Sequence, residues 1–174
     1  MKFDLKKSKE VLRNTPAVLE NLLAGLSSEW IQNNEGEDSW SPYDVIGHLI
    51  HGEKTDWITR ANIILEEGED ATFEAFDRFA QFEDSKGKSL EELLAEFREL
   101  REENLKLLDS MDLQEEQMQL KANHPALGVV KMSELLATWV CHDLNHIVQI
   151  SRVMAKNYSS EVGPWSVYIG VLNS

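Results

Sequence analysis

Cys141 is the only cysteine in a chain of 174 residues, so no intrachain disulfide can form, and a reducing compartment is expected. No run of about 18 apolar residues occurs, which excludes a helical membrane span. Met1-Lys2-Phe3-Asp4-Leu5-Lys6-Lys7 has no apolar stretch behind it of the kind a secretory signal needs, so the cytoplasm is the expected location. Positive charge is scarce as well. Seventeen Lys and Arg stand against 31 Asp and Glu, a net charge of −14, the wrong sign for gripping nucleic-acid phosphates or an anionic membrane. Internal repeats, low-complexity stretches and a convincing strand pair are also missing.

What is present describes a globular chain. Hydrophobic residues make up 42% and charged residues 28%, and the length suits one domain spanning 1–174. Val11, Leu12, Val18, Leu19, Leu22, Leu23, Leu26 and Trp30 recur at helical spacing, with a break or kink expected at Thr15-Pro16. After a loop around Gly36, Trp40-Ser41-Pro42-Tyr43-Asp44 is a helix start: Ser41 caps, Pro42 takes the first position and Asp44 favours the positive end of the dipole. That helix is expected to run to about Glu67, where Gly68 ends it. A long linker follows with phenylalanines at 73, 76, 79 and 82, read as a short helix or a lid. Ser89 opens the next helix, with Leu90, Leu93, Leu94, Phe97, Leu100 and Leu108 as its stripe. His124-Pro125-Ala126-Leu127-Gly128 reads as a turn-rich loop. Ser133 is expected to cap a last helix reaching about Asn157, and the tail with Gly163-Pro164-Trp165 and Val167-Tyr168-Ile169 should pack back on it. The expectation is an all-α four-helix bundle with a long linker after its second helix and a short C-terminal segment packed on the bundle.

The last helix contains Cys141-His142-Asp143-Leu144-Asn145-His146. His142 and His146, four residues apart, share one face and can share one metal ion. At about 100° per residue they form a narrow strip with Gln149, opposite the densest apolar stripe of Leu136, Val140, Leu144, Ile147 and Met154. On the earlier helix Asp44, His48, His51 and Thr55 gather on one side. If the two strips face each other, His48 or His51 can complete a three-imidazole site for Zn²⁺ or Ni²⁺ with a position left open for water or substrate. Neither histidine pair has the His-Glu-x-x-His pattern of zinc proteases. Asp143 lies off the strip and reads as a packing partner. Glu53 reads as a buried structural partner for Arg60 or Arg152, and Cys141 as an inert thiol.

The landmarks Trp40-Ser41-Pro42-Tyr43-Asp44-Val45-Ile46-Gly47-His48-Leu49, Glu53, His124-Pro125, Gly128, His142-Asp143-x-x-His146 with Gln149-Ile150, and Gly163-Pro164-Trp165 together resemble the DinB/YfiT-like family of small metal-binding helical proteins. The resemblance implies a four-helix bundle, often dimeric, whose metal is held by one histidine of the second helix and two of the fourth. These correspond to His48, His142 and His146. It also implies a divalent metal cofactor (Zn or Ni), for some members a low-molecular-weight thiol, and a small-molecule substrate. No single reaction follows, since such proteins include thiol S-transferases, a maleylpyruvate isomerase and metal-dependent hydrolases.

Two classes of function fit. One is an enzyme in which the metal activates a thiol or a water, with His51, Asp44 and Gln149 as the catalytic candidates that move protons or hold substrate. The other is a non-catalytic, metal-binding stress-response homodimer whose tryptophans, Trp30 and Trp165 among them, supply an apolar face.

Overall fold

A computed structural model describes residues 1–173. Seven α-helices appear among them: α1 (Leu5–Leu23), α2 (Ser28–Gln32), α3 (Pro42–Thr55), α4 (Trp57–Glu66), α5 (Ala80–Asp84), α6 (Leu90–Ser110) and α7 (Met132–Lys156). The long helices form a four-helix bundle in which α1 and α3 each pack against both α6 and α7, and α4 continues beyond α3. No described helix is long and apolar enough to cross a membrane.

Local chemistry sets the helix starts. Ser41 and Ser89 each accept from the backbone N–H three residues on, while Asp44 and Glu92 reach back to the cap N–H, giving two complete capping boxes. Helix α4 ends at Gly68, whose φ of 71° suits glycine. Gly47 of α3 is the other glycine that matters, because a Cβ there would collide with Ser85 just beyond α5.

Four expectations fail, each for a physical reason. Helix α1 passes through Pro16 without a break. Proline at 16 removes the hydrogen bond that Leu12 C=O would receive, and Arg101 of α6 donates to that carbonyl instead at 2.9 Å. The second long helix does break. Asp56, at φ −111° and ψ −73°, separates α3 from α4 well before Glu67, so Trp57 starts a new helix and stacks on Trp139 at 5.7 Å. The loop at His124 is the tip of a hairpin, β1 (Lys121–His124) against antiparallel β2 (Gly128–Lys131), where no strand pair was expected. Its four-residue strands are too short to show an alternating pattern. Ser133 does not cap α7, which begins one residue earlier, at Met132, with the Glu134 carboxylate accepting from Lys131 N–H.

The linker is pinned to the hairpin by a parallel bridge, Thr72 to Asn123, and buries Phe73 while Phe79 and Phe82 are exposed. The tail returns to α7 at Gly170–Leu172, but Trp165, Val167 and Tyr168 face solvent.

The core is divided. One apolar cluster gathers Leu12, Trp57, Ala61, Leu105, Leu136 and Trp139; the other gathers Leu19, Leu49, Ile50, Phe97 and Ile150. Polar side chains gather between these clusters: Thr15 on α1, His48, His51 and Glu53 on α3, Arg101 and Asn104 on α6, and His142, Asp143 and His146 on α7. A polar layer therefore crosses the bundle at mid-height. Helix α7 buries Leu135, Trp139, Asp143, His146, Ile150 and Val153. The stripe read from the sequence as the dense apolar side is split, with Leu136 buried and Leu144 exposed at 47%.

Candidate metal centre

Half of the polar layer is an ion cluster. Arg101 Nη1 donates to Asp143 Oδ2 at 2.6 Å, and Nη2 donates to Asp143 Oδ1 at 2.9 Å and to Glu53 Oε1 at 2.8 Å. Trp139 Nε1 and Asn104 Nδ2 complete Glu53, at 3.0 Å on each oxygen. Both carboxylates are fully buried. Burial alone would lower the Arg101 pKa, but the two carboxylates overcome it and the guanidinium is held charged. The partner of Glu53 is therefore Arg101. Arg60 pairs with Asp56 and Arg152 with Glu35. The sequence does carry a signal for Arg101, since it lies four residues after Phe97 and seven before Leu108, on the apolar stripe of α6.

The other half is made of histidines. His48, from α3, and His142 and His146, from α7, bring their Nε2 atoms together: His142 Nε2 lies 3.0 Å from that of His48 and 3.1 Å from that of His146. Among the described residues these three form a group of metal-ligand geometry that no carboxylate or thiol joins. Gln149, one turn on, accepts from His146 Nδ1–H at 2.8 Å, which leaves His146 Nε2 with a bare lone pair. Burial pushes the His48 pKa down to about 3 and that of His142 to about 2, with His146 the next cause for each. His146 is lowered too, again by burial, against the Gln149 bond and Asp143. All three are neutral at neutral pH, the form in which imidazole binds a metal.

The donor set fits a cation. One proton on His142 Nε2 can bridge to His48 or to His146 but not to both, so one close N···N approach has no hydrogen to hold it. His48 Nδ1 and His142 Nδ1 are buried with no hydrogen-bond partner. A divalent ion accepting all three Nε2 lone pairs removes the conflict.

The remaining candidates are placed differently. His51 is buried, but its Nδ1 faces Asp84 of α5 at 3.5 Å and its ring packs on Phe76 at 5.0 Å. Asp44 accepts from both the N–H and the hydroxyl of Ser41 through Oδ2, so it serves the helix cap.

His48 and His142 line a cavity of about 290 Å³. Its walls are mainly apolar, from Trp57, Phe73, Phe76, Leu127, Val130 and Leu135, with Asp56, Arg60, His124, Glu134 and Thr138 as polar members. Burial raises the Asp56 carboxyl pKa, opposed by Arg60 and then His51. Periodicity and spacing single out neither Asp56 nor His124, because one depends on the helix break and the other on the hairpin; His124-Pro125 enters only as a landmark of the family resemblance. A second, more open cavity of about 760 Å³ is lined by Glu35, Trp40, Arg78, Phe79, Phe82, Gln149 and Arg152. It touches the histidines indirectly, through Gln149 on His146 and Trp40 packed on His48 at 4.8 Å.

Comparison with known proteins agrees with this architecture. Among solved structures, YfiT from Bacillus subtilis, described as a probable metal-dependent hydrolase with an unusual four-helix bundle topology, superposes with a TM-score of 0.75. It is 22% identical, over 90% of this chain and 89% of the other. No curated protein matches the sequence. The family profile of the DinB superfamily matches residues 12–150, a span that takes in the whole polar layer, and the chain belongs to that superfamily.

Proposed function

We propose that this protein is a metal-dependent enzyme acting on a small molecule, with hydrolysis as its reaction. The observation that carries this reading is the convergence on one point of three neutral imidazoles, two buried and one half-buried, of which His48 and His142 line an apolar cavity. Three protein ligands and an accessible fourth side are what catalytic, as opposed to structural, zinc sites use. The description of YfiT as a probable metal-dependent hydrolase supports the choice of hydrolysis.

His48, His142 and His146 would hold the ion through Nε2, and zinc or nickel suits an all-imidazole set. When bound, such an ion lowers the pKa of a coordinated water or thiol toward neutrality. The protein's own groups do the rest. Gln149 fixes the tautomer of His146. The aromatic walls give the cavity an apolar lining. Asp56, its pKa raised by burial, is the cavity carboxylate suited to exchange a proton, while His51 sits one turn of α3 from His48 and can relay one through Asp84 to solvent.

Thiol transfer is the second reading. It requires a second molecule, and the separate cavity beside Gln149 and Trp40 provides a place for a polar one such as a low-molecular-weight thiol. A cytoplasmic homodimer is part of the proposal; exposed Leu144, Val148 and Trp165 supply apolar surface for it.

Elemental analysis of protein purified without an affinity tag should find about one zinc or nickel per chain. The metal-loaded protein should then hydrolyse members of a panel of aryl esters and amides. Metal at one per chain, no hydrolysis, and conjugation of a bimane electrophile to a thiol would select the second reading. Protein with no metal and no affinity for it would end both.

A further inference from the structure

The hairpin contributes one side chain to the cavity whose protonation state is set by the fold. His124 Nδ1 accepts two backbone hydrogen bonds, from Ala126 N–H at 3.1 Å and Leu127 N–H at 3.2 Å. A nitrogen that accepts cannot carry the proton, so the neutral ring must be the Nε2–H tautomer. Burial, then Arg60, lowers the pKa of this ring and favours that neutral form. Phe73 meets the ring edge-on at 6.3 Å, interplanar angle 90°, and braces it. Among the described residues no acceptor bonds to Nε2, on the side of the ring away from the tip backbone.

We propose that His124 is a fixed hydrogen-bond donor in the cavity and selects neutral substrates carrying a carbonyl oxygen on an apolar body. The neutral character follows from the other polar walls. Arg60 is already engaged, with Nε on Asp56 at 2.5 Å, Nη2 on Glu74 C=O at 3.4 Å and its guanidinium over Phe73. It therefore offers no free cation to a carboxylate, its charge is balanced by Asp56, and Glu134 in the same wall repels an anion. A neutral imidazole N–H suits a carbonyl, and more so the oxygen as charge develops on it during attack. This assignment rests on reading the cavity as the substrate site of the metal centre.

The test uses binding to the metal-free full chain, so its result is separate from whether the loaded protein turns anything over. Acetophenone and ethylbenzene have the same shape but differ in the carbonyl; their dissociation constants would be measured for wild type and two variants. His124→Asn places an acceptor where Nδ1 was, keeping the tip, but lacks the distant donor. His124→Gln places an N–H near the Nε2 position and loses the tip acceptor. The ratio of the ethylbenzene to the acetophenone constant should fall about three- to tenfold in His124→Asn and stay within about twofold of wild type in His124→Gln. A role in holding the tip alone predicts the reverse order, with Asn as the benign change, and that result overturns the proposal. So does failure of acetophenone to bind wild type. Long-range ¹H–¹⁵N spectra of the unmutated protein give an independent check: the His124 signals should be those of the Nε2–H tautomer and should shift with acetophenone, and an Nδ1–H pattern overturns the assignment.

Discussion

Asp143 and His142 are neighbours in sequence and belong to two polar clusters that lie side by side in the same layer of the bundle. The cluster around Asp143 is closed: two carboxylates, one guanidinium, an indole and an amide satisfy one another, and only Arg101 Nε lacks a partner. The cluster around His142 is open. Its three ring nitrogens face each other with too few protons, and two further ring nitrogens are buried without partners. Closure of this kind suits a structural part, whereas an arrangement completed only by a cation suits a functional one. The same helix supplies both because adjacent residues point about 100° apart.

The largest effect should come from opening the closed cluster. Arg101→Met leaves Glu53 and Asp143 buried without compensation and removes the donor to Leu12 C=O. A loss of about 3–5 kcal/mol in denaturant unfolding is expected. An unchanged midpoint would mean that the network does not hold the bundle together. His146→Ala should do the opposite, lowering metal affinity by more than roughly a hundredfold, beyond what outer partners of a ligand give, while the metal-free chain melts near its original temperature. Competition with a chromogenic chelator reads the first quantity and calorimetry the second.

Acid sharpens the contrast further. Burial holds the histidine pKa values below that of the unfolded chain, His48 at about 3 and His142 at about 2. The unfolded state therefore binds more protons as pH falls below about 6.5. Stability of the metal-free protein should be flat above that value and decline from there toward pH 3, by up to about 1.4 kcal/mol per pH unit for each imidazole. In a His48→Phe/His142→Phe double variant the decline should be shallower, and an unchanged slope would show that other groups cause it. The smallest effect should come from Gln149→Ala, which frees the His146 tautomer without removing a ligand. Metal affinity should drop about 10- to 100-fold with little change in melting temperature.

How much of this is legible in the sequence depends on the range of the interaction involved. The capping boxes at Ser41 and Ser89 are local and can be read directly. So can the shared face of His142, His146 and Gln149. Pro16 misleads because the compensation for its missing N–H comes from Arg101, 85 positions away in the chain. The α3–α4 break at Asp56 carries no proline or glycine, and the stacking of Trp57 on Trp139 that accompanies it is equally non-local. On α7 the apolar periodicity points to Leu144, yet the buried side carries Asp143 and His146, because a polar layer inverts the usual rule that the core face is the greasy one. The third histidine could be narrowed to His48 or His51 from spacing; family likeness favoured His48, and in the fold it is His48 that meets the other two.

The hairpin has a consequence for how such a protein can diversify. It consists of two four-residue strands, anchored at its base by buried Ala122 and by the bridge from Asn123 to Thr72, while its outer residues Leu127 and Val129 are largely exposed. His124, Leu127 and Val130 nevertheless form one wall of the cavity. The candidate metal ligands therefore sit on the long helices, and part of the cavity wall sits on a short appendage whose tip is exposed. Substitutions and insertions there would reshape the cavity while leaving the imidazoles and the Arg101 network as they are, so the lining can change without disturbing the helices that fold the chain.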